Sequence, residues 1–119
     1  MSERRKIPKG IEVYEISESC SLWALHRYWT VIRMIGKTPK GIIVVLTKVH
    51  FLGQSDLHLF KSFSERCYRE KVKLILVGVQ SQFLSLIQKE GLYDLIGPRN
   101  IVKDMGDAIQ RSIGKQKGI

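Results

Sequence analysis

The chain has 119 residues, 44% hydrophobic and 26% charged, the balance of one ordinary globular domain rather than of a disordered or membrane-embedded chain. Its formal charge of +9 permits an anionic partner, yet Arg4, Arg5, Lys6 and Lys9 lie in front and Arg111, Lys115 and Lys117 behind, as in solvated ends. The two cysteines, Cys20 and Cys67, form no CxxC pair or disulfide framework and point to a reducing, cytoplasmic setting. The opening Met1-Ser2-Glu3-Arg4-Arg5-Lys6 leads into no apolar run, so neither a signal peptide nor a membrane span is expected. One domain over residues 1–119 is expected, with 1–6 and 114–119 as flexible tails.

Ile7-Pro8-Lys9-Gly10 reads as a turn, and Ile11 to Ile16 alternates as a strand with one face partly exposed. After a polar break at Ser17 to Ser21, Leu22, Leu25, Trp29 and Ile32 fall on one helical stripe, which Gly36 and Pro39 end. Trp23, Val31 and Met34 project away from that stripe. They make either a broad packing face or an apolar patch for a partner.

Gly41-Ile42-Ile43-Val44-Val45-Leu46 is a short, β-branched run, the pattern of a strand covered on both faces. The polar stretch from Thr47 to Asp56 follows. Leu57, Phe60, Phe63 and Cys67 then repeat with helical period, which makes Cys67 a small core residue. Ser55 and Asp56 stand where an N-cap and a first-turn acid are expected.

Val72 to Val79 is a further apolar strand. Ser81 is placed to cap a short helix carrying Phe83, Leu84 and Ile87, closed by a left-handed Gly91. Leu92 to Pro98 reads as a connection, Ile101-Val102 as a short strand, and Asp104 as the cap of a last helix. The alternation predicts an α/β domain with a mostly parallel sheet and right-handed crossovers. Its expected core includes Val13, Leu25, Trp29, Ile43, Val45, Phe60, Phe63, Leu74 and Leu76.

Sites in open parallel sheets form beyond the carboxyl ends of strands, which directs attention to the turn after Leu46. No nucleophile elbow or Walker loop is present, and no cofactor is expected. His26, His50 and His58, with Asp56 or Cys67, have no metal-ligand spacing, so no metal is expected. Trp23, Arg27 and Tyr28 are too few for nucleic-acid recognition. Backbone N–H groups at the helix starts near Ser55 and Ser81 offer a place for a small anion or nucleotide.

Three stretches, Ile7 to Ile16, Val72 to Gln80, and Gly91-Leu92-Tyr93-Asp94-Leu95-Ile96-Gly97 with Asn100-Ile101, carry a resemblance to the STAS domain of sulfate transporters and anti-sigma-factor antagonists. The likeness covers about Ile7 to Ile113 and is nearest to the cytoplasmic domain of SulP-type anion transporters. It implies a SpoIIAA-like sheet with helices mainly on one face, no enzymatic activity, and a regulatory role through protein contact. In antagonists the loop before the second helix reads Asp-Ser-Ser/Thr-Gly, and a partner kinase phosphorylates its second hydroxyl residue. Here the matching residues are Gly53-Gln54-Ser55-Asp56, so the hydroxyl is kept at Ser55 while the acid is lost at Gly53 and the small residue becomes Asp56. A phosphate on Ser55 would meet repulsion from Asp56, which favours a capping role over a switch.

The resemblance therefore implies a partner-binding loop of His50, Gly53, Gln54, Ser55, Asp56 and His58, flanked by the face of Trp23, Val31 and Met34. Its partner would be a transporter membrane domain or an anti-sigma-factor-like protein. The basic balance suits a position near the anionic inner face of a membrane.

Overall fold

A computed structural model of the chain describes residues 7–17, 22–36, 38–49 and 53–113. The expected tails 1–6 and 114–119 lie outside those residues, as do Cys20, His50 and the side chains of Trp23 and His26.

The chain alternates β1 (Ile11–Glu15), α1 (Leu22–Ile35), β2 (Gly41–Val45), α2 (Gln54–Arg69) and β3 (Lys73–Val77). Two short helices follow, α3 (Ser81–Lys89) and α4 (Leu92–Ile96), then a 3-10 turn at Pro98–Asn100, β4 (Ile101–Val102) and α5 (Met105–Ile113). The four strands are parallel and lie in the order β1-β2-β3-β4, with Val13, Ile43 and Ile75 in one row. Every crossover steps in the same direction, and with the right-handed connection that parallel strands favour, the crossover helices fall on one face. The last helix is not a crossover and folds back on the other.

That topology makes the two faces unequal. On the crossover side Leu25 and Trp29 of α1, Phe60 and Phe63 of α2, and Phe83 and Ile87 of α3 bury against Ile42, Val44, Leu74 and Leu76. Edge-on aromatic contacts tie the layer together, with ring centroids 5.1 Å apart for Phe60 and Phe83 and 5.6 Å for Tyr28 and Trp29. On the other side α5 covers β3, β2 and β4, and Ile43, Ile75, Val77 and Ala108 form a smaller core.

Val13 belongs to the row of Ile43 and Ile75, yet it stays 37% exposed, so its assignment to the core is corrected. Its strand lies at the sheet edge, beside the strands that α5 covers. Val45, on the same side, is half-buried rather than buried. Val13→Ala is accordingly expected to cost under about 1 kcal/mol in denaturant unfolding, well below a core truncation.

Tyr14 donates a 2.6 Å hydrogen bond to the Glu12 carboxylate and packs edge-on against Tyr28. Burial first, and the Glu12 carboxylate next, push both phenols well above their ordinary value, so both remain protonated at neutral pH. Cys67 is buried in the core as expected, and burial pushes its thiol up to about 12.

The helix ends match expectation at some places and not at others. Gly36 follows α1 with φ +81° and Gly91 follows α3 with φ +77°, as their glycines predict. Asp104 caps α5, its Oδ1 accepting from the Asp107 N–H at 2.9 Å. Ser81, however, is the first residue of α3; Gln80 holds the cap position, and no side chain bonds there. Leu92 to Pro98 is more than a connection, since α4 turns Leu92 and Ile96 into the core.

Candidate functional site

The site region begins where β2 leaves the sheet. The Val49 N–H bonds the Leu46 carbonyl at 3.1 Å and closes a turn with Thr47 and Lys48 exposed at its tip. Val49 drops back into the main core. The turn is fixed from two sides. Gln80 Nε2 donates to the Thr47 carbonyl at 2.9 Å, and Gly78, with φ +68°, lies directly against the Thr47 methyl group. A pair between Lys48 and Glu15 at 3.5 Å joins the exits of β1 and β2. Both side chains are more than half exposed, so the pair contributes little.

The chain returns at Gly53 and enters α2. Gly53 is the N-cap, with extended backbone and no side-chain cap hydrogen bond, and the Leu57 N–H bonds its carbonyl at 3.0 Å. Ser55 is therefore not the cap; it is the second residue of the helix and is exposed. The sequence offered Ser55 because a hydroxyl next to an acid is the commoner helix start, whereas a glycine cap leaves no such sign. Asp56 is half-buried in the first turn, where a carboxylate gains from the helix dipole. Gln54 and His58 are exposed on the same end of the helix.

Ser55→Ala is thus expected to change stability by less than about 0.5 kcal/mol, as an exposed substitution away from special features does. Asp104→Ala should cost about 0.5–2 kcal/mol through loss of a true cap. Urea unfolding of the two variants side by side checks the contrast.

Gly53 needs no glycine for its backbone. Among the described residues, a Cβ there would meet only Asp56 Oδ2, at 3.9 Å. The acid found in antagonists would face Asp56 as a like charge at this position.

Of the expected site residues, Gly53, Gln54, Ser55, Asp56 and His58 come together on the first turns of α2. His50 lies outside the described residues. Val31 and Met34 are exposed on α1, Met34 at 83%, while the Trp23 side chain lies outside the described residues. The residues that hold the loop in place, Gly78 and Gln80 on the β3 exit, were not foreseen. The glycine after a strand was the one sign of them.

The sheet is short and parallel with its crossover helices on one face, and α2 starts at Gly53, without a side-chain cap bond, after a pinned turn. A sequence model of the STAS domain matches residues 10–108, and the chain belongs to that family. Over 66 residues it is 35% identical to YvdB of Bacillus subtilis (strain 168), provisionally named a sulfate transporter. That match covers 56% of this chain and 12% of YvdB, so the chain corresponds to a small part of that relative.

Solved structures share the fold. A sulfate transporter family protein from Wolinella succinogenes superposes with a TM-score of 0.77 at 23% identity, covering 92% of this chain and 89% of that one. The STAS domain of a SulP transporter from Vibrio cholerae gives 0.77 at 19% identity, with 92% and 86% covered. A stressosome component gives 0.65 at 13% identity, with 85% and 88% covered. No helix among the described residues is long and apolar enough to cross a membrane.

Proposed function

We propose that this chain is a non-catalytic regulatory STAS domain acting by protein contact, as the cytoplasmic portion of a SulP-type anion transporter or as a free-standing relative. The observation that carries the reading is the family match over residues 10–108 together with the likeness to YvdB. The contact centres on the turn after β2 and the first turns of α2, with His50, Gln54, Asp56 and His58 at its rim. The chain works as one domain over residues 1–119, and its excess of cations favours the anionic inner face of the membrane.

Binding to a SulP-type membrane domain, compared for the wild type and Gln54→Arg/Asp56→Arg, tests this reading. Both positions are surface or near-surface, and the change reverses the charge of the rim. Binding should weaken at least tenfold, about 1.4 kcal/mol. Equal binding by the folded variant would move the contact elsewhere.

A second reading follows from the exposure of Ser55. With no capping duty, its hydroxyl is open to a partner kinase, and the start of α2 would stabilise a phosphate while Asp56 opposes it. Intact mass after incubation with an anti-sigma-type kinase decides it. Stoichiometric phosphate on Ser55, absent from Ser55→Ala, supports an anti-sigma-factor antagonist; an unchanged mass rejects it.

A further inference from the structure

At the amino end of the sheet, a helix length away from the loop, α2, β3 and α4 enclose a groove of about 610 Å³, within the size range of small-molecule sites. Its floor is apolar, made by Cys67, Val72 and Ile96, which are buried, and Leu95, which is half-buried. Its lip carries the exposed cations Arg69 and Lys71, with the half-buried Lys73 also lining it, and no carboxylate among the described residues does so. Asn100 at one end is already used, its Nδ2 donating to the Ile96 carbonyl and its Oδ1 accepting from Arg111.

Lys71 is held there at a cost. The Val72 N–H bonds the Cys67 carbonyl at 2.9 Å and the Lys71 N–H bonds the Tyr68 carbonyl at 3.2 Å. This is the double hydrogen bond with which a helix normally ends on glycine. Here the left-handed residue is a lysine, with φ +62°, and among the described residues no other non-glycine has a positive φ. Glycine would close the helix without strain. A cation near a helix C-terminus gains from the dipole wherever it sits in the last turn, and Arg66 and Arg69 already serve there. The strained position adds one thing, a further positive charge on the lip of a groove that Arg69 and Lys73 also line.

The geometry points to a site for a small amphipathic organic anion, with an apolar body against Cys67, Val72, Leu95 and Ile96 and a carboxylate or phosphate head between Arg69 and Lys71. This goes beyond the proposed function and does not depend on it, because the groove and the α2 loop lie at opposite ends of the sheet. The head can belong to a free anion or to a lipid.

Titration of the full chain with decanoate, followed by amide resonances at constant ionic strength, tests the site. Acetate and decanol supply the head and the tail alone. Decanoate is expected to shift Cys67, Val72, Leu95 and Ile96 and to bind at least tenfold more tightly than either control. Arg69→Gln/Lys71→Gly should lose at least tenfold in affinity while keeping its circular dichroism, since glycine suits φ +62° at position 71.

Co-sedimentation with phosphatidylglycerol vesicles separates the sources. Vesicle binding that is lost in the double variant assigns the head to lipid, and decanoate binding without vesicle binding assigns it to a free anion. Equal affinity of the variant for decanoate, or equal binding of all three probes, overturns the proposal. So does vesicle binding with no response to decanoate, which would be surface attraction only.

Discussion

Phe63→Ala is expected to destabilise the domain by about 3–5 kcal/mol, the range for truncating a buried aromatic side chain. Phe63 is 1% exposed, midway along α2, with its ring centroid 6.4 Å from that of Trp29 on α1. Trp29 is covered on another side by the Arg66 guanidinium, 5.2 Å from its centroid, and Arg66 is bonded in turn to Glu70 at 3.3 Å. The Phe63 ring is thus the apolar support of the α1–α2 contact, and its removal leaves a void that neither helix can close without tilting on the sheet. Cooperative urea unfolding gives the value. A loss below about 1 kcal/mol would mean that the α1–α2 interface is not packed as described. Phe63→Leu keeps most of the volume and should recover most of the loss.

The reason Phe63 could be placed from sequence, and Val13 could not, is physical. The spacing of Leu57, Phe60, Phe63 and Cys67 identifies a helical stripe, and a helix stripe that apolar has only the sheet to bury against. Alternation along Ile11 to Ile16 shows which residues share a face, but not how far the covering helix extends across that face. The reach of α5 stops short of burying Val13, and nothing local to β1 records it. α4 escaped notice for a similar reason, since five residues are too few to display a helical period.

The loop was legible because a strand-to-helix turn at the carboxyl end of β2 is a consequence of topology. The cap within it was not, because Gly53 and Ser55 are both acceptable cap residues and only the backbone path chooses between them. The groove at the other end was invisible. It joins Cys67, Lys71 and Leu95 through tertiary packing, and the helix end that shapes it bears a lysine where a glycine would have announced the turn.

Gly78→Ala should cost about 2–5 kcal/mol, from left-handed backbone strain of about 1–2 kcal/mol and overpacking of about 1–3 kcal/mol. Gly78 has φ +68°, and an added Cβ would run into Thr47 Cγ2 with the Thr47 Cβ only 3.3 Å away. Gly78 cannot retreat easily, since its N–H is bonded to the Val102 carbonyl at 2.9 Å and the preceding Val77 carbonyl accepts from the Leu46 N–H at 2.8 Å. Thr47 has to move instead, and with it goes the carbonyl that Gln80 holds. The substitution therefore acts on the candidate site from beneath, loosening the turn before α2 without touching Gln54, Asp56 or His58. Thr47→Ser removes the obstructing methyl group, so in Gly78→Ala/Thr47→Ser the steric part should be recovered while the backbone part stays. The double variant should then be about 1 kcal/mol or more stable than additivity predicts, a coupling of the size seen between touching residues. Denaturant unfolding of the four proteins of this cycle measures it. A cost below about 1 kcal/mol for Gly78→Ala, or strict additivity with Thr47→Ser, would show that β3 does not brace the loop through this contact.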